Sequence, residues 1–194
     1  MKKLLLTLLI VGAATFSSKA QEVISSSSGN SYVGNFSNEV KLNFLNAIAL
    51  GSIEFGYERY LSDDHSLDLQ LLINDRFGFN NENNGKKYKT NSVQASMNFY
   101  FGDGKTTTGP SGRFYIYPLV KLRFGDFEET KDGVVETTNM NAFMFGAGGG
   151  YKWEISDHFA FGPYASVTRG FSNEVAERFS RIEVNGGFSL GYRF

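Results

Sequence analysis

Charged residues at every second position of apolar segments are the first candidates for chemistry in this chain. Glu39, Lys41, Glu54, Glu58, Asp68, Arg113, Lys121, Arg123, Arg181, Glu183 and Arg193, together with Lys152, fall mostly between apolar or aromatic neighbours. On a strand such alternation gathers them on one face. If that face is enclosed the charges must pair, because an unpaired charge out of water is costly. The chemistry on offer is an ion-pair and hydrogen-bond plug or, if the pairs can part, a gated narrow pore.

The other candidates are weaker. His65 and His158 could serve a Ser–His nucleophile or a zinc ion. Both close short segments, Ser62-Asp63-Asp64-His65 and Ile155-Ser156-Asp157-His158, in which Asp64 and Asp157 more simply make turns. Gly102-Asp103-Gly104-Lys105-Thr106 shares the ending of a phosphate-binding loop, but Phe99 stands where its first glycine belongs. The glycine-rich stretch 146–150 lacks the required spacing as well. Asp126, Glu128, Glu129, Asp132 and Glu136 could hold a divalent cation, yet they lack the order of a calcium loop and are expected to be solvated. Cysteine is absent, and the net charge of -1 gives no support to a nucleic-acid partner. No cofactor or metal is implied.

The elements that must position these charges are strands. Ile182, Val184, Phe188, Leu190, Tyr192 and Phe194 oppose Arg181, Glu183, Asn185, Ser189 and Arg193 with period 2. Segment 92–101 repeats the pattern, with Val93, Ala95, Met97, Phe99 and Phe101 on the apolar face. Similar alternation begins at Val40, Ile53, Leu67, Phe114, Phe143 and Phe159, giving about eight strands. Short turns near 62–65 and 155–158 alternate with polar loops at 78–91, 125–139 and 172–180. The first connection, near 46–51, is short, and the link 102–112 is longer and rich in glycine. Gly56, Gly146, Gly148, Gly150 and Gly162 on the polar face leave room for large side chains in a narrow lumen.

Domain organisation follows. Residues 1–20 read as a signal peptide: Lys2 and Lys3, an apolar run from Leu4 to Ala14, and Ser18-Lys19-Ala20 before Gln21. Residues 21–37 read as a flexible polar leader, and 38–194 as the barrel. A soluble barrel would turn its apolar face inward. Aromatic sorting favours the inverse. Tyr57, Phe99, Phe101, Phe114, Tyr151, Trp153, Phe159, Tyr192 and Phe194 gather at one set of strand ends, and Tyr60 joins them by position. Phe77, Phe124, Phe143 and Phe171 lie near the other ends. Two aromatic belts around an apolar band are expected of a lipid-facing wall. The fold class is therefore all-β, a single antiparallel transmembrane β-barrel of about eight strands behind a cleaved signal peptide.

Gly186-Gly187-Phe188-Ser189-Leu190-Gly191-Tyr192-Arg193-Phe194 resembles the closing strand of outer-membrane barrels. Asn38-Glu39-Val40-Lys41-Leu42-Asn43 and Gly56-Tyr57-Glu58-Arg59-Tyr60 resemble the opening hairpin of uncharacterised Bacteroidota barrels. Residues 38–194 are similar in architecture to the OmpA/OmpX-like small-barrel group. The resemblance implies a Gram-negative outer-membrane location, a porin-like but narrow barrel, and contact with outer-membrane lipids and lipopolysaccharide. It also implies that the barrel-assembly machinery reads the C-terminal strand. The group is functionally mixed. The expected role is non-enzymatic, structural or displaying extracellular loops to an unspecified external partner. A narrow pore or small apolar-ligand conduit is the alternative, followed by a lipid-modifying enzyme. For the enzyme both histidines sit at the wrong end, since with an even strand count the short turns and both termini face the periplasm.

Overall fold

Alternation of this kind can satisfy its backbone in lipid only by closing on itself, because an open edge would leave N–H and C=O groups without partners. The computed structural model describes residues 36–77, 85–102 and 111–194, and there the sheet does close. Its strands are β1 (Asn38–Asn43), β2 (Ile53–Tyr60), β3 (His65–Ile73), β4 (Lys86–Phe101), β5 (Ser111–Lys131), β6 (Val134–Asn139), β7 (Ala142–Glu154), β8 (Phe159–Phe171) and β9 (Ile182–Arg193). Short helices α1 (Phe44–Leu50) and α2 (Asn173–Arg178) follow β1 and β8. Every pairing between neighbours is antiparallel, and β1 pairs with both β2 and β9. The β4–β5 pairing completes the ring. β6 pairs with the far end of β5 and runs on into β7, so the wall is eight-stranded. The segment read as a signal peptide, and the part of the expected leader before Phe36, lie outside the described residues.

The wall is inverted relative to a soluble barrel. Leu69, Val93, Ile116, Phe145 and Val184 point outward and are 44–51% exposed, while the inward Glu58, Ser66 and Ser92 are 0% exposed. An apolar surface this continuous marks contact with lipid or protein rather than water. The start of β1 and the end of β9 meet at one end of the wall, the terminus end, where Asn38 and Phe194 exchange backbone hydrogen bonds of 3.2 and 2.9 Å.

The opposite, distal end differs from a set of loose loops. β4 and β5 run on past the wall, and with β6 they form a three-stranded extension over Lys86–Thr90, Gly125–Lys131 and Val134–Asn139. Gly125 stands where β5 leaves the wall. Its φ is +120°, and a Cβ there would lie 2.0 Å from the Lys89 carbonyl oxygen, so no other residue fits. The expected polar loops 78–91 and 125–139 are thus largely strand in their described parts, because Tyr88 and Phe127 bury a face of the extension. The segment 172–180 contains α2, capped by Ser172, whose side chain accepts from Val175 N. The first connection is also helical: Asn43 caps α1 and Gly51 ends it in a left-handed conformation, so Phe44 starts a helix instead of extending β1.

Candidate functional site

The interior is filled by side chains that reach across the lumen from facing strands. Glu58 is its hub. Its carboxylate accepts from Lys41 Nζ at 3.0 Å, Lys152 Nζ at 2.7 Å and Asn98 Nδ2 at 3.0 Å, and from the Ser66 and Tyr100 hydroxyls. Lys152 also reaches Glu39 at 3.1 Å and Tyr60 Oη at 2.9 Å, and Tyr60 donates to Glu39 at 2.6 Å. Lys41 bridges onward to Asp68 at 2.5 Å. Glu54 is held by neutral donors: Asn43 Nδ2 at 2.9 Å, Asn46 Nδ2 at 2.7 Å and the Tyr164 hydroxyl.

A second cluster lies at the distal end. Arg123 grips Asp75 at 2.9 and 3.0 Å and Glu183 at 2.8 Å. Lys121 joins the same two carboxylates at 2.8 and 3.1 Å. Two cations and two anions balance there, with Ser92 donating to Asp75. At the terminus end, Arg113 pairs with Asp64 at 2.6 Å and Arg193 pairs with Glu154.

Close packing seals what remains. Tyr115 and Tyr117 stack at 5.8 Å and cross the lumen above glycines. A Cβ at Gly148 would sit 2.4 Å from the Tyr117 ring, and one at Gly150 would sit 2.6 Å from Tyr115 Oη. The cavity between Asn43, Glu54, Asp68, Gln70, Tyr115 and Tyr164 is about 30 Å³. One water needs roughly 10–15 Å³, so this space suits a water or two and no larger solute.

Beyond the second cluster lies a small apolar core under the extension. Phe77, Tyr88, Phe127, Met140 and Val175 are buried, with Phe179 packed against them. Arg178 of α2 fastens it by donating to Thr138 at 2.8 Å and to Glu129, with its guanidinium 5.1 Å from the Phe127 ring centroid. Burial opposes ionisation of Glu129, but hydrogen bonds from Lys131 and Arg178 outweigh it and hold the carboxyl below its usual range. This folded cap covers the distal mouth.

Of the charges read from alternation, Glu39, Lys41, Glu54, Glu58, Asp68, Arg113, Lys121, Arg123, Lys152, Glu183 and Arg193 lie inside. Arg181 does not: it is exposed at the distal rim, because β9 begins only at Ile182. The residues read as a girdle (Tyr57, Phe99, Phe101, Phe114, Tyr151, Trp153, Phe159, Tyr192 and Phe194) face outward at the terminus end, with Phe101–Phe114 and Phe159–Tyr192 in ring contact at 6.2 and 5.3 Å. Tyr60 and Phe77 are corrections. Tyr60 shares the inward parity of Glu58 and serves the network, and Phe77 sits in the cap core, 5.5 Å below the Arg123 guanidinium. Asp75 was missed because strand parity sends it outward, and Asn74, left-handed at φ 54°, turns it in.

The histidines have ordinary partners. His65 Nδ1 lies 3.0 Å from Ser62 Oγ within one exposed turn, and its ring meets Phe99 edge-on. His158 contacts the Arg193 carbonyl at 3.1 Å and stacks on Tyr192. Among the described residues no group of three or more His, Cys, Asp or Glu is placed to hold a metal. Asp126, Glu128, Glu129, Asp132 and Glu136 lie on the extension or its hairpin, where Lys86, Lys89, Lys131 and Arg178 pair with Glu128, Glu129 or Glu136. Positions 103–106 of the phosphate-loop-like segment lie outside the described residues.

No protein-family model and no curated protein sequence matches the chain. Among solved structures, the N-terminal β-barrel domain of Pseudomonas aeruginosa OprF superposes with a TM-score of 0.51 at 15% identity, covering 81% of this chain and 96% of that one. Neisserial surface protein A, NspA, gives 0.48 at 12% identity over 80% and 91%. Ail, the attachment invasion locus protein of Yersinia pestis, gives 0.42 at 14% over 81% and 95%. The first similarity is one of fold: the chain is built as a small outer-membrane-type barrel.

Proposed function

We propose that this chain is an outer-membrane barrel without enzymatic activity or a through-pore, and that it presents its folded distal cap to the cell exterior. The observation that carries the reading is the inversion of polarity: an apolar wall outside and a paired ionic plug inside. Lipid is the solvent that suits such a wall. The water-sized cavity argues against a conduit for solutes. The cap supports the presenting role, since a preformed surface loses less entropy on binding than a flexible loop would. In this reading residues 1–20 are cleaved on export. The last strand, ending at Tyr192-Arg193-Phe194, is the segment that the assembly machinery engages.

The test is labelling of intact cells with a membrane-impermeant amine reagent. Lys86, Lys87 and Lys131 on the cap are exposed and should react without cell rupture. Reaction of these lysines only after the outer membrane is broken would overturn the proposed orientation and role.

A further inference from the structure

Four of the chain's eight arginines meet a carboxylate, Arg113, Arg123, Arg178 and Arg193, and Arg59 donates instead to Asn38 Oδ1 at 2.7 Å. Arg169 and Arg181 do not form an ion pair among the described residues. Arg169 shares the outward parity of Val167 and Phe171, both 51% exposed, and is itself exposed on the apolar wall. Its register partner is the outward Phe145, and its guanidinium lies 5.8 Å from the Phe171 ring centroid, toward the distal end of β8. Arg181 stands beside it, its carbonyl accepting from Gly170 N at 2.7 Å. The two arginines, with Phe171, Ser172 and Asn173, line a rim cleft of about 270 Å³.

A cation on a lipid-facing wall is unfavourable at mid-depth and becomes tolerable only near the interface. Phe124, Phe143, Phe145 and Phe171 mark that interface at the distal end. A guanidinium placed among those rings can lay its stem along them and reach the headgroup layer. Its planar donors match phosphate oxygens in pairs, which a zwitterionic or neutral surface would not reward equally. The Ser172 hydroxyl accepts from Val175 N and keeps its own proton to donate. We infer that Arg169 and Arg181 form a seat for the phosphate of an outer-leaflet lipid headgroup, with the acyl chains against Phe145 and the neighbouring wall. The origin of Arg169 in the apolar wall selects a lipid over free phosphate. This rests on the outer-membrane reading with the distal end outward.

The test uses the full folded chain in neutral maltoside micelles carrying either a diphosphorylated glucosamine-based glycolipid or its dephosphorylated form. Glycolipid retained on the protein is counted by native mass spectrometry. Wild type should retain the phosphorylated lipid alone. R169Q and R181Q should each retain it about tenfold less, the effect of one lost charge-assisted hydrogen bond. K89Q, which removes an exposed cation elsewhere, should change nothing. Equal retention by wild type and both arginine variants would overturn the seat, as would complete displacement by excess inorganic phosphate. Migration of unboiled against boiled samples runs in parallel. A compact unboiled form without phosphate preference sinks the seat alone. A protein that stays soluble and unshifted without detergent sinks the membrane reading itself.

Discussion

Lys152 shows how the interior holds together. One ammonium satisfies two carboxylates, Glu39 and Glu58, and touches Tyr60, all buried. Lys152→Met would leave two buried anions short of a counterion, which costs about 3–5 kcal/mol. The expected outcome is a lower urea midpoint for the folded barrel in micelles; an unchanged midpoint would mean that Glu58 does not depend on this lysine. Gly148→Ala tests packing at the same scale, since its Cβ would meet Tyr117 at 2.4 Å and the Ala165 carbonyl oxygen at 2.6 Å. Overpacking of that kind costs about 1–3 kcal/mol, and the same urea titration reads it. At the cap, Glu129 has a depressed pKa in the folded state. Its contribution is therefore fully present above the ordinary glutamate value and is lost as pH falls through the lower folded value. Amide exchange in α2, corrected for intrinsic rates, should accelerate across that acidic window. Arg178→Met should show the faster exchange already at neutral pH, with little further response to acid.

Among elements, the eight wall strands and the extension divide the chain into parts of different legibility. The wall was readable because lipid on one side and a packed lumen on the other impose period 2 on every strand. Segment 92–101 and the run from Ile182 to Phe194 carry that pattern with few breaks; the first lies within β4, and the second lies in β9 up to Arg193. The extension was not readable in the same way. Outside the bilayer its outward face is polar, so Lys87, Lys89, Glu128 and Thr130 look like loop residues although they pair across strands. The helix after β1 did leave a signal, an Asn N-cap and a terminal Gly around 44–50, that apolar alternation masked. Asp75 left none, because its direction depends on the left-handed Asn74. The cap and the wall should also separate experimentally. The wall part of β5 pairs with β4 and β7 independently of β6. Replacing 126–139 by a tight turn should therefore preserve the compact form of the unboiled sample on gels while making α2 sensitive to protease. Loss of the compact form would show that the extension is needed to close the barrel.

For the whole molecule, sealed interior and apolar exterior make separate demands. A lumen closed by paired charges and stacked tyrosines should give no steady conductance in planar bilayers at moderate voltage, and stable open steps would contradict the plug. The exterior is tested more directly by the chain's 1 tryptophan. Trp153 is half-buried, faces outward at the terminus end, and stacks on Phe161 at 5.6 Å. Its emission, measured in bilayers of lipids brominated at graded depths along the acyl chain, reports what solvent the wall sees. A lipid-facing girdle gives blue-shifted emission, quenched most strongly by bromines close to the headgroup and weakly by aqueous iodide. Strong iodide quenching with indifference to brominated lipid at every depth would contradict the central claim that this wall is built for a membrane.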